Sequence, residues 1–363
     1  MRAARDDRLA YTLALHPGTL LAGRYHLLRV LGGSSPVAVT YLADDQTAQE
    51  QVVVKEFLPR TFAGRAADGL TIRPHSGDDA PAFTRALRRF TREADLLADI
   101  VHPNIPRVRS HFAANGTAYL VVDYYDGVTA AEHVAASGGR VPVERAVALV
   151  MGALGGLQVL HTDGVIHGYV TPQNILVTAE SRPLVLALGT TRQVVGQAKE
   201  PVPGFAPIEE YASQELGPWT DVYACGAVLY QLLTGTTPSS AIERAAGHMV
   251  TLPWPAAADV PSSVARVITS ALALLPAGRP HSAEEFRRRL ETALGSEPRD
   301  SRPRLEERAD NLWRRSLPDV LLPTGRSSND APVLLAEPEL LDEDADLPIG
   351  NGRDDRVRRL LRP

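Results

Sequence analysis

Strand-forming segments crowd the first third of this chain and helical ones fill the next stretch, and that division limits the folds open to it more than any single motif. Residues 24–31, 37–42 and 52–57 are β-branched or alternating runs, separated by Gly32-Gly-Ser-Ser-Pro36 and by Asp44-Asp-Gln-Thr47. Turn-forming residues between runs of period two predict an antiparallel meander. One helix follows over 82–99, where Phe83, Leu87, Phe90, Ala94 and Leu97 recur at spacings of three and four and share a face. Strands at 106–112 and 117–123 are expected to complete the small sheet. Beyond Gly127 the pattern turns helical, with apolar helices over 143–161 and 221–234. The expected fold is α+β and two-lobed: a small antiparallel β-rich lobe holding one helix, and a larger, mostly α-helical lobe.

A chain of 363 residues is long enough to bury a sizeable core. Its 38 basic and 43 acidic residues leave a net charge of −5, which gives no reason to expect nucleic acid or an anionic membrane as partner. A small molecule or another protein is the expected ligand. The charged opening, residues 1–8, lacks the apolar region of a signal peptide. The most apolar stretch, 146–160, is interrupted by glycines and Gln158 and reads as too short to span a bilayer, so a cytoplasmic protein is expected. Cys225, the sole cysteine, lies between Ala224 and Gly226 in an apolar helix and reads as a small core residue. The ten histidines show no zinc-ligand spacing. From about Glu297, Pro, Asp, Glu and Arg dominate and apolar residues come in short patches, too few to offset the entropy of ordering. The expected organisation is an N-terminal extension over 1–22, one domain over 23–295 whose small lobe ends near 126, and a disordered tail over 296–363.

Within that frame, Gly164-Val-Ile-His-Gly-Tyr-Val-Thr-Pro-Gln-Asn-Ile-Leu-Val177 has the outline of a protein-kinase catalytic loop. Val52-Val-Val-Lys-Glu-Phe-Leu-Pro59 resembles the strand whose lysine holds the α- and β-phosphates of ATP and pairs with a glutamate on the next helix, roles that fall on Lys55 and Glu93. His102-Pro-Asn-Ile105 resembles the turn after that helix. Leu120-Val-Val-Asp-Tyr-Tyr-Asp-Gly127 resembles the last small-lobe strand and the hinge beside adenine, which brings Asp123 and Tyr125 to the nucleotide site. Gly204-Phe-Ala-Pro-Ile-Glu209 resembles the end of the activation segment, with Arg279 the expected buried partner of Glu209. Asp221 stands where kinases hold the catalytic-loop backbone. With these landmarks in order, residues 23–293 resemble a bacterial Ser/Thr protein kinase domain.

The departures fall on the chemistry. Tyr169 stands where the catalytic loop carries its aspartate, and Ala187 where the metal-binding aspartate belongs. Phosphoryl transfer needs a carboxylate to orient and deprotonate the hydroxyl nucleophile, and metal ions to neutralise the moving phosphoryl group. A phenol with an ordinary pKa of about 10 is a poor base at neutral pH. Losing a general base typically lowers a rate by about 10² to 10⁴, and losing the metal ligand removes a separate electrostatic contribution. Thr171 replaces the loop lysine, Val202 its usual threonine partner, and Gly168 the arginine that reads a phosphorylated activation segment; residues 192–205 contain no Ser, Thr or Tyr. The phosphate-covering loop keeps glycines only at its start, Pro36 removes an amide donor, and Val53 crowds the adenine position.

Lys55 and Lys199 are the only lysines in a chain otherwise rich in arginine. An arginine fork does not fit a site built for a point ammonium, so a lysine kept at 55 marks a local demand, met either by nucleotide or by an ion pair with Glu93. Asn174 holds a metal in kinases, but without an aspartate at 187 it reads as a residue satisfying nearby backbone. The resemblance with its departures therefore implies a pseudokinase, a protein-binding scaffold or allosteric regulator in Ser/Thr phosphorylation signalling, with an active kinase, a substrate or a regulator as partner. No catalytic residue, metal or required cofactor is expected. Lys55, Glu93, Asp123, Tyr125 and Asn174 form a vestigial site that leaves room for weak ATP binding without magnesium. The alternative is a weak or atypical ATP-dependent Ser/Thr kinase, or another phosphoryl or nucleotidyl transferase.

Overall fold

The computed structural model describes residues 13–31, 37–186, 200–247 and 259–295, all within the unit Met1–Pro303. The small lobe is a six-stranded antiparallel sheet in the order β1-β2-β3-β4-β8-β7, made by β1 (Leu20–Leu21), β2 (Tyr25–Val30), β3 (Ala38–Asp45), β4 (Glu50–Phe57), β7 (Val108–Ala114) and β8 (Thr117–Asp123). A separate hairpin, β5 (Ala63–Arg65) and β6 (Ile72–Pro74), and the helix α1 (Ala80–Ala98) come between β4 and β7. The Asn115-Gly116 turn joins β7 to β8 with φ of 52° and 72°, the left-handed pair that matches strand twist in two-residue hairpins.

Side chains alternate across a strand, and β4 uses both faces. Phe57 packs toward α1, its ring 4.9 Å from Phe90 and 6.3 Å from Phe83, and Lys55 and Val53 share that side by their spacing of two. Phe83, Phe90, Ala94 and Leu97 of α1 are buried as the helical spacing predicts; Leu87 is only half-buried, and Ala86 and Glu93 join the buried face. On the other side of β4, Glu56 has no exposed surface.

The small lobe begins before residue 23. Leu15 is buried and its amide donates to the Tyr41 hydroxyl at 2.9 Å, while β1 pairs Leu20 with His26 and Leu21 with Tyr25. Residues 13–21 are thus part of the domain, because the buried Leu15 side chain, its amide bond to Tyr41 and the β1–β2 ladder tie them to the edge of the sheet. Residues 1–12, the Gly-rich loop at 32–36 and the expected tail lie outside the described residues.

The large lobe contains β9 (Gly127–Thr129), α2 (Ala130–Ala136), α3 (Val143–Thr162), β10 (Ile175–Thr178), β11 (Pro183–Val185), α4 (Ile208–Tyr211), α5 (Pro218–Thr234), α6 (Ala241–Ala245), α7 (Ser262–Ala271) and α8 (Ala283–Gly295). β11, β10 and β9 form a three-stranded antiparallel sheet in that order. Thr129 caps α2 in a capping box with Glu132. At twenty residues α3 is long and apolar enough to cross a membrane by composition, which corrects the shorter stretch read from sequence. Its apolar residues are those of a core helix: Ala146, Val147, Val150, Ala153, Leu154 and Leu157 have no exposed surface, and its neighbours are α5, α8 and β11. Cys225 is fully buried in α5, where burial pushes its thiol pKa up and keeps it protonated, as expected of a core residue.

Candidate functional site

The centre of the site is built by one buried carboxylate. Asp221, in the first turn of α5, accepts from the His167 amide at 3.0 Å and the Gly168 amide at 2.7 Å, and lies 2.8 Å from His161 Nε2. Burial alone would raise its pKa; the hydrogen bond to His161, the electrostatic influence of the two imidazoles and the Gly168 amide outweigh burial and hold it below the usual carboxylate value. Asp221 therefore stays ionised and pins the loop before Tyr169, the role expected of it. Gly168 has φ of 60°, a backbone conformation that suits glycine.

His167 carries the geometry on to the next segment. The Tyr169 amide donates to His167 Nδ1 at 3.2 Å, so Nε2 holds the proton and donates to the Leu186 carbonyl at 2.7 Å. The Leu186 amide in turn donates to the Asn174 carbonyl at 2.8 Å. Leu186, next to Ala187, is braced from both sides against the loop that carries Tyr169. Ala187 itself lies outside the described residues.

Asn174 has a structural task in this arrangement: its Nδ2 donates to the Tyr169 carbonyl at 2.9 Å. Tyr169 is half-buried and Thr171 is buried. Tyr169, Thr171 and Val202 line one cavity of about 10 Å³ with Phe205, Ala206 and Glu210. The positions that in kinases join a loop lysine to a threonine are thus neighbours here, but the space between them holds about one water molecule. Glu210, buried at 5% exposure beside Tyr169, was not singled out in the sequence. Its signal was a second acid directly after Glu209, where one acid suffices for the expected ion pair.

That ion pair is present. Arg279, 2% exposed, reaches Glu209 at 2.7 and 3.0 Å and donates to the carbonyls of Ala273, Leu274 and Trp219, with its guanidinium 4.9 Å from the Tyr223 ring centre. All of these contacts shape the lobe.

On the small-lobe side, Lys55 lies on β4 between Thr40 of β3 and Leu120 of β8. Burial pulls its ammonium pKa down to about 8, against the opposing charge of Glu93 on α1. Val53, two residues earlier, pairs with Leu42 and Val122 on the same face of the strand. Asp123 and Tyr125 are held elsewhere: Arg109 bonds Asp123, the Tyr125 hydroxyl accepts from the Arg107 amide at 3.4 Å, and Arg182 stacks 5.5 Å from the Tyr125 ring centre. Their side chains fasten the hinge, leaving its backbone as what a ligand could meet. Of the acids near these loops in sequence, Asp163 and Glu180 are exposed. Among the described residues, no three His, Cys, Asp or Glu side chains converge as a metal site would require.

The turn at 102–105 joins the two lobes. Asn104 Nδ2 donates to the Pro183 carbonyl at 2.7 Å, the Asn104 carbonyl accepts from Val185 at 2.9 Å, and Arg182 donates to the Pro103 carbonyl at 3.0 Å. Leu97, Val108 and His167 are buried.

Residues 75–289, more than half of the chain, match the family described as protein kinase domain. The chain is 27% identical over 316 residues to the serine/threonine-protein kinase PrkC of Bacillus subtilis, covering 84% of this chain and 45% of that protein. It is 30% identical over 298 residues to the serine/threonine-protein kinase PknB of Mycobacterium tuberculosis, covering 77% and 44%. The chain thus spans less than half the length of these relatives. Among solved structures, PpkA-294 in its apo form superposes with a TM-score of 0.66 at 28% identity, covering 77% of this chain and 99% of that one.

Proposed function

Because this chain belongs to the protein kinase family, we propose that it retains the family's scaffold without its phosphoryl-transfer chemistry and acts by binding another protein in Ser/Thr phosphorylation signalling. The observation that carries this reading is the loop held by Asp221. Its backbone is fastened as a working loop would need, by Asp221 and by the Asn174 Nδ2 bond to the Tyr169 carbonyl, yet it presents a phenol where transfer needs a carboxylate. A scaffold of that kind needs neither a metal nor a cofactor.

Lys55 and Glu93 support weak, metal-independent nucleotide binding as an accompaniment. A thermal-shift titration with ATP, with and without magnesium, tests it beside Lys55→Met, since a ligand that binds the folded state raises the melting temperature. The expected result is a small shift that does not need magnesium, fades as pH rises through about 8 with loss of the Lys55 charge, and is absent in the variant. Robust phosphate transfer by the parent protein to a Ser/Thr substrate would sink the proposal. The second reading, a weak transferase, is favoured by the Lys55 and Glu93 arrangement and by Glu210 in the cavity beside Tyr169. Under that reading both Lys55→Met and Glu210→Gln abolish the transfer.

A further inference from the structure

Helix α1 carries Arg85, Arg88, Arg89 and Arg92 at spacings i, i+3, i+4 and i+7, and all four are exposed on the face turned away from Phe57 and Lys55. Side chains three and four apart on a helix are neighbours. Arg85 therefore lies beside Arg88 and Arg89, and Arg92 beside the same two, which sets four like-charge contacts on one stripe. The acids that could relieve them are turned elsewhere: Glu93 is buried toward Lys55, and Asp95 lies 2.9 Å from His111. No ion pair within the described residues holds Arg85, Arg88 or Arg92.

Helix α8 shows what the same chain does when arginines serve only as a solvated surface. There Arg287 pairs with Glu284 at 2.9 Å and Glu291 at 2.5 Å, and Arg289 pairs with Glu285 at 2.6 Å, all at i,i+3 or i,i+4. On α1, Arg85, Arg88 and Arg92 stand as like-charge neighbours with no ion pair among the described residues, the pattern expected where a surface serves a partner. One turn beyond Arg92 the stripe ends in apolar surface, with Leu96 42% and Val101 82% exposed.

We infer that the outer face of α1 is a docking surface for an acidic helix of another protein. The inference rests on the protein-binding reading above and names the chemistry of the partner. From Arg85 to Arg92 the stripe runs about 10 Å along the helix axis. A second helix with carboxylates at i, i+3 or i+4 and i+7 covers that length, and an apolar residue one turn on meets Leu96 and Val101. A nucleic-acid strand would set only about three phosphates over the same distance. An anionic membrane would bring charge against Asp78 and Asp99, which are exposed at the two ends of the stripe.

The test uses the full chain and a labelled helical peptide with glutamates at i, i+3, i+4 and i+7 and a leucine at i+11, followed by fluorescence anisotropy. Saturable binding is expected. It should weaken at least tenfold in Arg85→Glu/Arg88→Glu/Arg92→Glu and remain in a charge-matched control, Arg29→Glu/Arg107→Glu/Arg288→Glu, whose arginines are exposed on other elements. An Arg85→Gln/Arg88→Gln/Arg92→Gln version should melt no lower than the parent, since it removes like-charge neighbours, and should also lose the peptide. No binding, or equal loss in the stripe and control variants, overturns the inference. So does tighter binding of single-stranded DNA or phosphatidylglycerol vesicles through the same arginines, and so does self-association abolished by the stripe variant, which would make a second copy the occupant. Phosphate transfer is assayed on the same preparation: activity there ends the proposed function and leaves a positive docking result standing, whereas a peptide that fails to bind an inactive protein ends the docking inference alone.

Discussion

Glu56 is a carboxylate with no exposed surface, on the strand position next to Lys55 and on the opposite face. Arg65 of β5 grips it at 2.5 and 3.1 Å, and the Tyr41 and Tyr119 hydroxyls donate to it at 2.8 and 2.9 Å. Burial first, then the Glu56 charge, holds both phenols well above their usual pKa, so they remain donors throughout the physiological range. Removing one member of a buried pair leaves the other uncompensated, which typically destabilises by about 3–5 kcal/mol. Arg65→Met should therefore lower the free energy of urea unfolding by that order, and Glu56→Gln in the same chain should recover part of it; a loss under ~1 kcal/mol would mean the pair is not a structural anchor. The sequence carried a clue to this pair. Val52, Val54 and Glu56 share one face of an alternating strand, and a charge on a face otherwise apolar needs a partner. What no local pattern could show is that the partner comes from a hairpin nine residues on. At the candidate site the legible part was identity: Lys55, Glu93, Tyr169, Asp221 and the Glu209–Arg279 pair all follow from motif spacing. Missed were Glu210, and the side-chain fastening of Asp123 and Tyr125 by arginines from β7 and from the loop before β11, because contacts between distant segments leave no period in the sequence.

Among the elements, the five strands with six or more residues and the helices α1, α3 and α5 were readable to within about three residues, a normal margin for helix and strand ends. β1, β5 and β6 were not, since strands of two or three residues are too short to show alternation. Long-range bonds hold them instead: Arg65 Nε reaches the Leu13 carbonyl at 2.6 Å, and the Ile72 amide reaches the Asn115 carbonyl at 2.8 Å. The glycines of α3 were read only as interruptions in an apolar run, yet two of them seat the turn at 102–105. A Cβ at Gly152 would come within 2.5 Å of Pro183 and 3.1 Å of Asn104 Nδ2, and one at Gly156 within 3.1 Å of the Asn104 carbonyl oxygen. At Gly155 a Cβ would meet nothing closer than 3.6 Å. Gly152→Val should therefore destabilise by about 1–3 kcal/mol through overpacking, whereas Gly155→Ala should be neutral or stabilise by up to ~1 kcal/mol through helix propensity. Thermal unfolding of the two variants side by side decides it, and equal effects would show that the glycines differ only in propensity.

At the scale of the whole molecule, acid should weaken the fold through one buried ring. Burial, reinforced by the charge of Arg145, pulls the His133 pKa down to about 4, against about 6.5 when unfolded. Between those values the unfolded chain binds the extra proton, so the stabilising contribution is complete above pH 6.5 and is lost as pH falls toward 4, on the order of 3 kcal/mol in all. Urea midpoints measured from pH 7 to pH 4.5 should fall accordingly, and His133→Gln should flatten the slope; an unchanged slope would assign the acid loss to carboxylates such as Asp221. The two-lobed architecture was predictable because strands precede helices in the chain, but the join between the lobes was not, since Asn104 makes it with partners about eighty residues away. The Glu56 anchor has one more consequence, and it concerns time. The Leu13 carbonyl and Leu15 amide bind side chains that converge on Glu56, and that cluster is complete only when Tyr119 is present. A ribosome adding about 5–20 residues per second delivers Tyr119 roughly 5–20 seconds after Leu13. The earliest-made segment of this lobe is therefore among the last of the lobe to settle, and whatever attends the nascent chain meets Leu15 and Leu21 while they are still uncovered.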